Sequence, residues 1–203
     1  MDLLEAIRKR KSIRLFNSDP VSREQIEEIL QLAIRAPSAI NLQPWEFYIV
    51  MGEEKARLSR RLVKLYREKQ ISCSPGNVKP LSAEFNKRGV ESFILMNPYL
   101  EKMGMDFNRF INEGNFYGAP TAVIMCLDNA FSEARLVDIG IALGYFVLVA
   151  HNFGLSTCPI GLINAYEDDI KEILNIPDNK NVVIGLALGY RDDSAPINEF
   201  TSP

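Results

Sequence analysis

Apolar positions recur along the chain with two periods, and the switches between them outline the elements. Leu3, Leu4 and Ile7 share a helical spacing and run into Arg8, Lys9 and Arg10, which predicts a short first helix ending in cations. Asp19 and Pro20 break the chain, and Ser22 with Gln25 then has the spacing of a capping box. Behind that cap Ile26, Ile29, Leu30, Ala33 and Ile34 fall on one face, and Pro37 ends the helix because it cannot donate the next hydrogen bond. Residues 47–51 read as a strand of aromatic and branched side chains, and 53–69 as a charged helix exposed on one side. A buried strand is expected over 119–127. A long helix follows over 132–152 with Leu136, Ile139, Leu143, Phe146, Val147 and Ala150 inward and Gly154 at its cap. Residues 167–174 predict a short helix, and 181–190 a last apolar strand in which Gly185 and Gly189 admit a close neighbour.

Between residues 70 and 117 this regularity breaks down. Pro75, Gly76, Pro80, Gly89, Pro98 and Gly104 interrupt it, while Phe93, Tyr99, Phe107 and Phe110 are scattered through it. The stretch reads as an inserted, mobile lid; aromatics packing a helical subdomain onto the core fit the same pattern, and the two readings are compatible.

Composition narrows the function. A chain of 203 residues with 47% hydrophobic content suits one domain with its own core. A net charge of −3 excludes a broad basic face for nucleic acid and leaves room only for a local anion site. Cys73, Cys126 and Cys158 are odd in number and at no metal-ligand spacing, so neither a disulfide framework nor a metal cluster is expected. The N-terminus lacks the apolar run of a signal peptide, and the most apolar stretch, 139–150, falls short of the roughly 20 residues that span a bilayer. A cytoplasmic protein without membrane insertion is the expectation.

Three stretches carry candidate chemistry. Arg10-Lys11-Ser12-Ile13-Arg14 sets three cations and a hydroxyl within five residues, a donor set suited to phosphate. A solvated helix end whose charges complement the dipole, or a basic contact surface for a partner, gives the same pattern. In the second stretch, Pro37, Ser38, Ala39, Asn41 and Gln43 stand between prolines ahead of Trp45. Asn and Gln offer both donor and acceptor, which the edge of a flavin or nucleobase requires, although an ordinary turn looks alike. Trp45 reads as a core anchor. The third stretch, residues 154–161, ends in Cys158-Pro159-Ile160-Gly161. Cys158 adjoins no basic residue and reads as a structural thiol, and His151, the only histidine, reads as a helix C-terminal dipole partner. Hydrolase chemistry has no support, since no serine elbow or metal triad accompanies it.

In the order Arg-x-Ser-x-Arg, Pro-Ser-x-x-Asn-x-Gln-Pro-Trp, Cys-Pro-Ile-Gly and a final Leu-Gly-Tyr, these stretches resemble the nitroreductase-like FMN-dependent NAD(P)H oxidoreductases over nearly the whole chain. The resemblance implies an α+β fold, a central mixed, mainly antiparallel sheet flanked by helices, with residues 70–117 as the inserted lid of a single domain. It implies FMN as cofactor, NADH or NADPH as donor, and a homodimer with shared sites built on the 132–152 helix. Arg10, Lys11 and Ser12 would hold the flavin phosphate and ribityl chain, and Arg14 the pyrimidine edge. Pro37, Ser38 and Ala39 would reach the cofactor of the partner subunit, with Asn41 and Gln43 in the same loop. Pro159, Ile160 and Gly161 would lie along the flavin face, the Gly161 N–H toward the hydride-accepting nitrogen. Phe107, Phe110 and Asn112 would line the substrate pocket. Nitroaromatics, quinones or free flavin are the implied acceptors, reduced by two electrons in a ping-pong cycle. Reductive dehalogenation, flavin fragmentation and non-catalytic flavin binding occur as alternatives on this fold. Relatives carry a further basic phosphate ligand beyond Leu-Gly-Tyr, whereas residues 194–203 contain no Lys or Arg. Either Arg191 takes that part, the ligand is absent, or the sequence continues.

Overall fold

All the apolar runs read as strands pair into one sheet. In the computed structural model, which describes residues 2–69, 79–107, 110 and 116–201, the strands are β1 (Trp45–Met51), β2 (Thr121–Asp128), β3 (Ser156–Ile160) and β4 (Lys180–Gly189). Their order is β1-β2-β4-β3, and each neighbouring pair is antiparallel. The mixed character comes from the chain ahead of the second helix, where Ser12 forms a parallel bridge with Thr157. There the Ile13 N–H donates to the Thr157 carbonyl at 3.0 Å.

β2 is apolar from Ala122 to Leu127 because both its faces are covered. Ala122, Ile124 and Cys126 face one core with Leu58, Leu62, Leu65 and Ile170, carried by helices α3 (Gly52–Lys69) and α6 (Glu167–Leu174). Val123, Met125 and Leu127 face the other, against Ile26, Ile29, Ile139 and Phe146 of α2 (Arg23–Ala33) and α5 (Leu136–Asn152). Trp45 is buried in this second core, as an anchor should be.

Local signals place the helix ends well. Ser22 and Gln25 form the reciprocal capping box of α2. Gly154, at φ 77°, closes α5 with its N–H on the His151 carbonyl and the Leu155 N–H on the Ala150 carbonyl, the pair of bonds of a Schellman motif.

Several expectations are corrected. Leu3, Leu4 and Ile7 do form α1 (Leu3–Lys9), but all three are exposed, and Ala6 is the residue that helix buries. On α5, Leu136 is exposed with Val137 and Tyr145, while Ile139, Phe146, Val147 and Ala150 are buried as expected. With its 3-10 lead-in that helix covers Glu133–Asn152, 20 residues of mean hydropathy 1.5, long and apolar enough to cross a membrane by length and composition. The shorter count over 139–150 missed this. Here the helix packs one face into the second core and buries Asp138, which pairs with the half-buried Arg135 at 3.1 Å.

The 70–117 region contains more regular structure than its punctuation suggests. α4 (Ala83–Lys102) runs through Gly89 and Pro98, capped by Ser82 and laced by Glu84–Arg88 and Lys87–Glu91 pairs at i,i+4. Residues 83–95 are largely exposed, whereas Met96 and Leu100 pack with Phe110, Ala195, Ile197 and Phe200 into a third cluster.

The close neighbour at both strand glycines is the protein itself. A Cβ on Gly185 would sit 2.8 Å from the Ile163 side chain, and one on Gly189 would sit 2.6 Å from the Pro120 ring. A proline ring cannot swing aside, so Gly189→Ala overpacks the sheet and is expected to cost about 2 kcal/mol. Thermal unfolding should show a fall in Tm of roughly 6 °C, at about 2–4 °C per kcal/mol for a chain of this size.

Candidate functional site

The first and third stretches meet along one edge of the sheet. The Ser12–Thr157 bridge lays the basic segment beside β3, so that Arg14 follows Ser12 on the track that β3 takes toward Pro159 and Ile160. At the end of that track Gly161 is exposed, and a Cβ there would meet no atom within 4 Å. A flat ring could approach this backbone without obstruction.

On the basic segment itself opens a cavity of about 290 Å³ lined by Arg8, Lys9, Arg10, Lys11, Ser12, Arg14, Phe200 and Thr201. Lys9 pairs with Glu5 at 2.5 Å, but among the described residues Arg8, Arg10, Lys11 and Arg14 have no carboxylate partner. Such clustered cations repel one another, and a bound polyanion offsets that cost. The donor set, four uncompensated cations around a hydroxyl, fits a phosphate monoester such as that of FMN.

Arg14 also lines a second cavity, of about 200 Å³, with Ser92, Phe93, Met96, Phe107, Phe110 and Tyr117. Phe107 and Phe110, expected to line a substrate pocket, therefore line one cavity with Arg14, and Phe93, Met96 and Tyr117 join them. Phe110 and Tyr117 stack at 5.4 Å and Phe93 meets Phe107 edge-on at 4.3 Å. Asn112 lies outside the described residues. A cavity of about 150 Å³ with apolar walls accepts benzene. This one therefore suits a single substituted ring.

The second stretch lies elsewhere. Pro37, Ser38, Ala39, Asn41 and Gln43 precede β1, at the opposite edge of the sheet from β3. Three strand-to-strand steps intervene, about 14 Å at the usual spacing. The loop is strained: Ile40, Asn41 and Gln43 all have positive φ, at 43°, 59° and 47°, and Ile40 is 91% exposed. A branched residue in the left-handed region is a true outlier. Within the loop Ser38 accepts the Gln43 N–H at 2.9 Å.

Arg191 does not reach the cation cavity. It pairs with Asp193 and Glu199 instead, so its charge is already spoken for. The sequence signal failed because neither acid adjoins it at a helical spacing.

Cys158 is buried, and burial pushes its thiol up, against the opposing effects of Arg14, a Ser12 hydrogen bond and Arg10. It is a structural thiol. Cys126 is pushed up to about 12, chiefly by burial. No metal-binding group of His, Cys, Asp and Glu occurs among the described residues.

His151 departs from its expected part. It occupies the last turn of α5, yet burial first, then Arg10 and Lys9, push its pKa down, so it is neutral where a dipole partner would be charged. Its buried Nε2 has no partner among the described residues. Since the unfolded chain takes up this proton first, stability held above the ordinary histidine pKa of about 6.5 is lost as pH falls through that value. His151→Gln should flatten the slope of Tm between pH 5 and 7. The single histidine makes the assignment unambiguous by NMR titration.

Sequence reasoning missed Asn198, Phe200 and Thr201. Asn198 is fully buried, accepts the Arg14 and Leu15 N–H groups at 2.8 and 3.1 Å, and donates to the Leu15 and Asp192 carbonyls at 2.7 and 2.9 Å. No local pattern marks it, because its partners lie up to 184 residues away.

The antiparallel sheet and the basic strip bridged to β3 suit a flavoprotein class, and comparison with known proteins agrees. The profile of the nitroreductase family matches residues 7–190, and the chain belongs to that family. It is 30% identical to 4-nitrobenzoate reductase of Pseudomonas putida, covering all of this chain and 91% of that one. To chloronitrobenzene nitroreductase of Comamonas testosteroni it is 29% identical, over 97% of this chain and 90% of the relative. The FMN-dependent nitroreductase NfnB of Mycobacterium smegmatis, solved in complex with NADPH, superposes with a TM-score of 0.87 at 27% identity, covering 100% of this chain and 95% of that one.

Proposed function

We propose that this protein is an FMN- and NAD(P)H-dependent oxidoreductase that reduces small nitroaromatic compounds, with quinones and free flavin as further acceptors in a ping-pong cycle. The observation that carries it is the carboxylate-free cation cavity on the segment that Ser12 bridges to Thr157 of β3, the strand that leads to the open backbone at Gly161. Family membership and the NADPH complex of NfnB support the same chemistry. FMN, when bound, accepts two electrons from the reduced nicotinamide and passes them to the acceptor.

The chain's own residues do the rest. Arg10 and Lys11 would neutralise the phosphate and Ser12 would add a short neutral donor. Arg14 would place a cation beside the pyrimidine edge, where negative charge develops on reduction. Pro159, Ile160 and Gly161 would leave one ring face open for donor and acceptor in turn. Phe93, Phe107, Phe110 and Tyr117 would hold a single aromatic ring beside Arg14 and exclude water from it. The activity of the P. putida relative, on a nitrobenzoate, suits a cavity of that size with a cation in its wall.

We further infer a homodimer with shared sites. The loop carrying Pro37, Ser38, Ala39, Asn41 and Gln43 stands across the sheet from the cation cavity of its own chain, so it serves the cofactor of a second copy. Exposed Leu3, Leu4 and Ile7 on α1, Leu136, Val137 and Tyr145 on α5, and Ile40 at the strained loop supply apolar surface for that contact.

Purified protein should be yellow, run as a dimer by light scattering, bleach on anaerobic titration with NADPH or NADH, and recover colour on addition of 4-nitrobenzoate. Protein that stays colourless after incubation with FMN refutes the assignment. Bleaching without recovery by any nitroaromatic or quinone leaves flavin binding intact and refutes the reductase activity.

A further inference from the structure

Arg14 belongs to both cavities, the cationic one with Arg10 and Ser12 and the aromatic one with Phe107 and Tyr117. A cation at that junction helps a reduced flavin only if two conditions hold. No carboxylate may cancel its charge, and its long side chain must be kept in one place, since an unrestrained arginine spreads over many rotamers.

The C-terminal segment meets both conditions. Asn198 fixes the backbone, accepting the Arg14 N–H at 2.8 Å. Two residues on, the Phe200 ring lies under the guanidinium, 5.5 Å from its carbon to the ring centroid. The only other hydrogen bond of that side chain among the described residues runs from Nη1 to the Ser12 carbonyl, at 3.3 Å. Phe200 is itself immobilised, buried with Met96, Leu100 and Ile197 and 6.2 Å from the Tyr99 ring. An aromatic face attracts a cation through its quadrupole and leaves the charge in place, whereas a carboxylate would neutralise it.

We propose that Phe200 is a positioning residue that holds the Arg14 guanidinium, uncancelled, at the flavin edge, so that residues 192–200 set how strongly the protein prefers reduced over oxidised FMN. This rests on the FMN reading above.

Phe200→Leu keeps an apolar side chain and removes the ring face; Phe200→Trp restores a face. Two readouts separate the outcomes: the midpoint potential of the FMN-loaded protein, and the NMR resonance of the Arg14 side-chain N–H in the FMN-free protein, which the ring current displaces. Phe200→Leu is expected to reduce the preference for reduced FMN about threefold, which lowers the two-electron midpoint by about 14 mV. It should also move the Arg14 resonance toward its unstructured position, with kcat falling more than KM rises. Phe200→Trp should return potential and kcat to near the unsubstituted values. An unchanged potential in FMN-loaded Phe200→Leu overturns the proposal, as does an equal fall in both variants, which would mark a packing effect. If the unsubstituted protein takes up no FMN, the cofactor reading fails and this inference falls with it. An Arg14 resonance that Phe200→Leu leaves unmoved sinks the positioning role even where FMN binds.

Discussion

Arg10→Ala is expected to weaken FMN binding about 30-fold, the equivalent of roughly 2 kcal/mol for charge-assisted hydrogen bonds to a phosphate. The size follows from the surroundings. Arg10 lines the cation cavity with Ser12 and, among the described residues, has no acid that would divert it. An Arg offers a planar fork that two phosphate oxygens can share, so Lys11→Ala, which removes a point charge, should cost less. The apoprotein should melt no lower than the unsubstituted chain, because removing one of several crowded cations relieves repulsion. Calorimetric titration of apoprotein with FMN, run at two salt concentrations, checks both halves, since the charge contribution weakens as salt rises. Unchanged FMN affinity in Arg10→Ala would falsify the placement of the phosphate here.

Asn198→Ala is expected to be the most destabilising single substitution proposed here, at about 3 kcal/mol, because each buried polar group left unpaired costs roughly 1–3 kcal/mol and part is recovered by relaxation. The side-chain amide serves two N–H groups and two carbonyls at once, with no exposure to water. At about 2–4 °C per kcal/mol, Tm should fall by roughly 9 °C. Asn198→Asp tests the donors separately. It keeps an acceptor for Arg14 and Leu15 but turns a carboxylate oxygen toward the Leu15 and Asp192 carbonyls, so it should destabilise at least as much. A loss below 1 kcal/mol in both variants would show that water replaces the amide and that the C-terminal segment is not tied to Arg14.

These two residues mark where the sequence was legible. Arg10 belongs to a basic pentapeptide whose chemistry can be read from neighbours four positions apart, and it lines the cation cavity. Asn198 sits in a segment with no periodicity, and its meaning comes wholly from a contact with Arg14 across 184 residues. Arg191 failed in the opposite sense: a cation near the chain's end looked available for phosphate, but Asp193 and Glu199 fold back onto it. Helix α4 was legible only as one of two readings, a helical subdomain beside a lid, because Gly89 and Pro98 are strong local breakers that the packing of Met96 and Leu100 overrides.

What the sequence determined by itself was everything encoded within a few residues: the capping box at Ser22, the stop at Gly154, the doubly apolar run of β2, and the motif order that resembles a flavin-binding family. Only the tertiary structure decided which apolar faces stay exposed on α1 and α5, and that the basic segment and the 37–43 loop lie at opposite edges of the sheet. The reason is the range of the forces. Hydrogen-bonded turns and side-chain alternation join neighbours two to four positions apart, so their signatures are printed in order along the chain. Strand order β1-β2-β4-β3 and the Arg14–Asn198 contact are choices among distant partners, settled by burying apolar surface while most interior polar groups are paired.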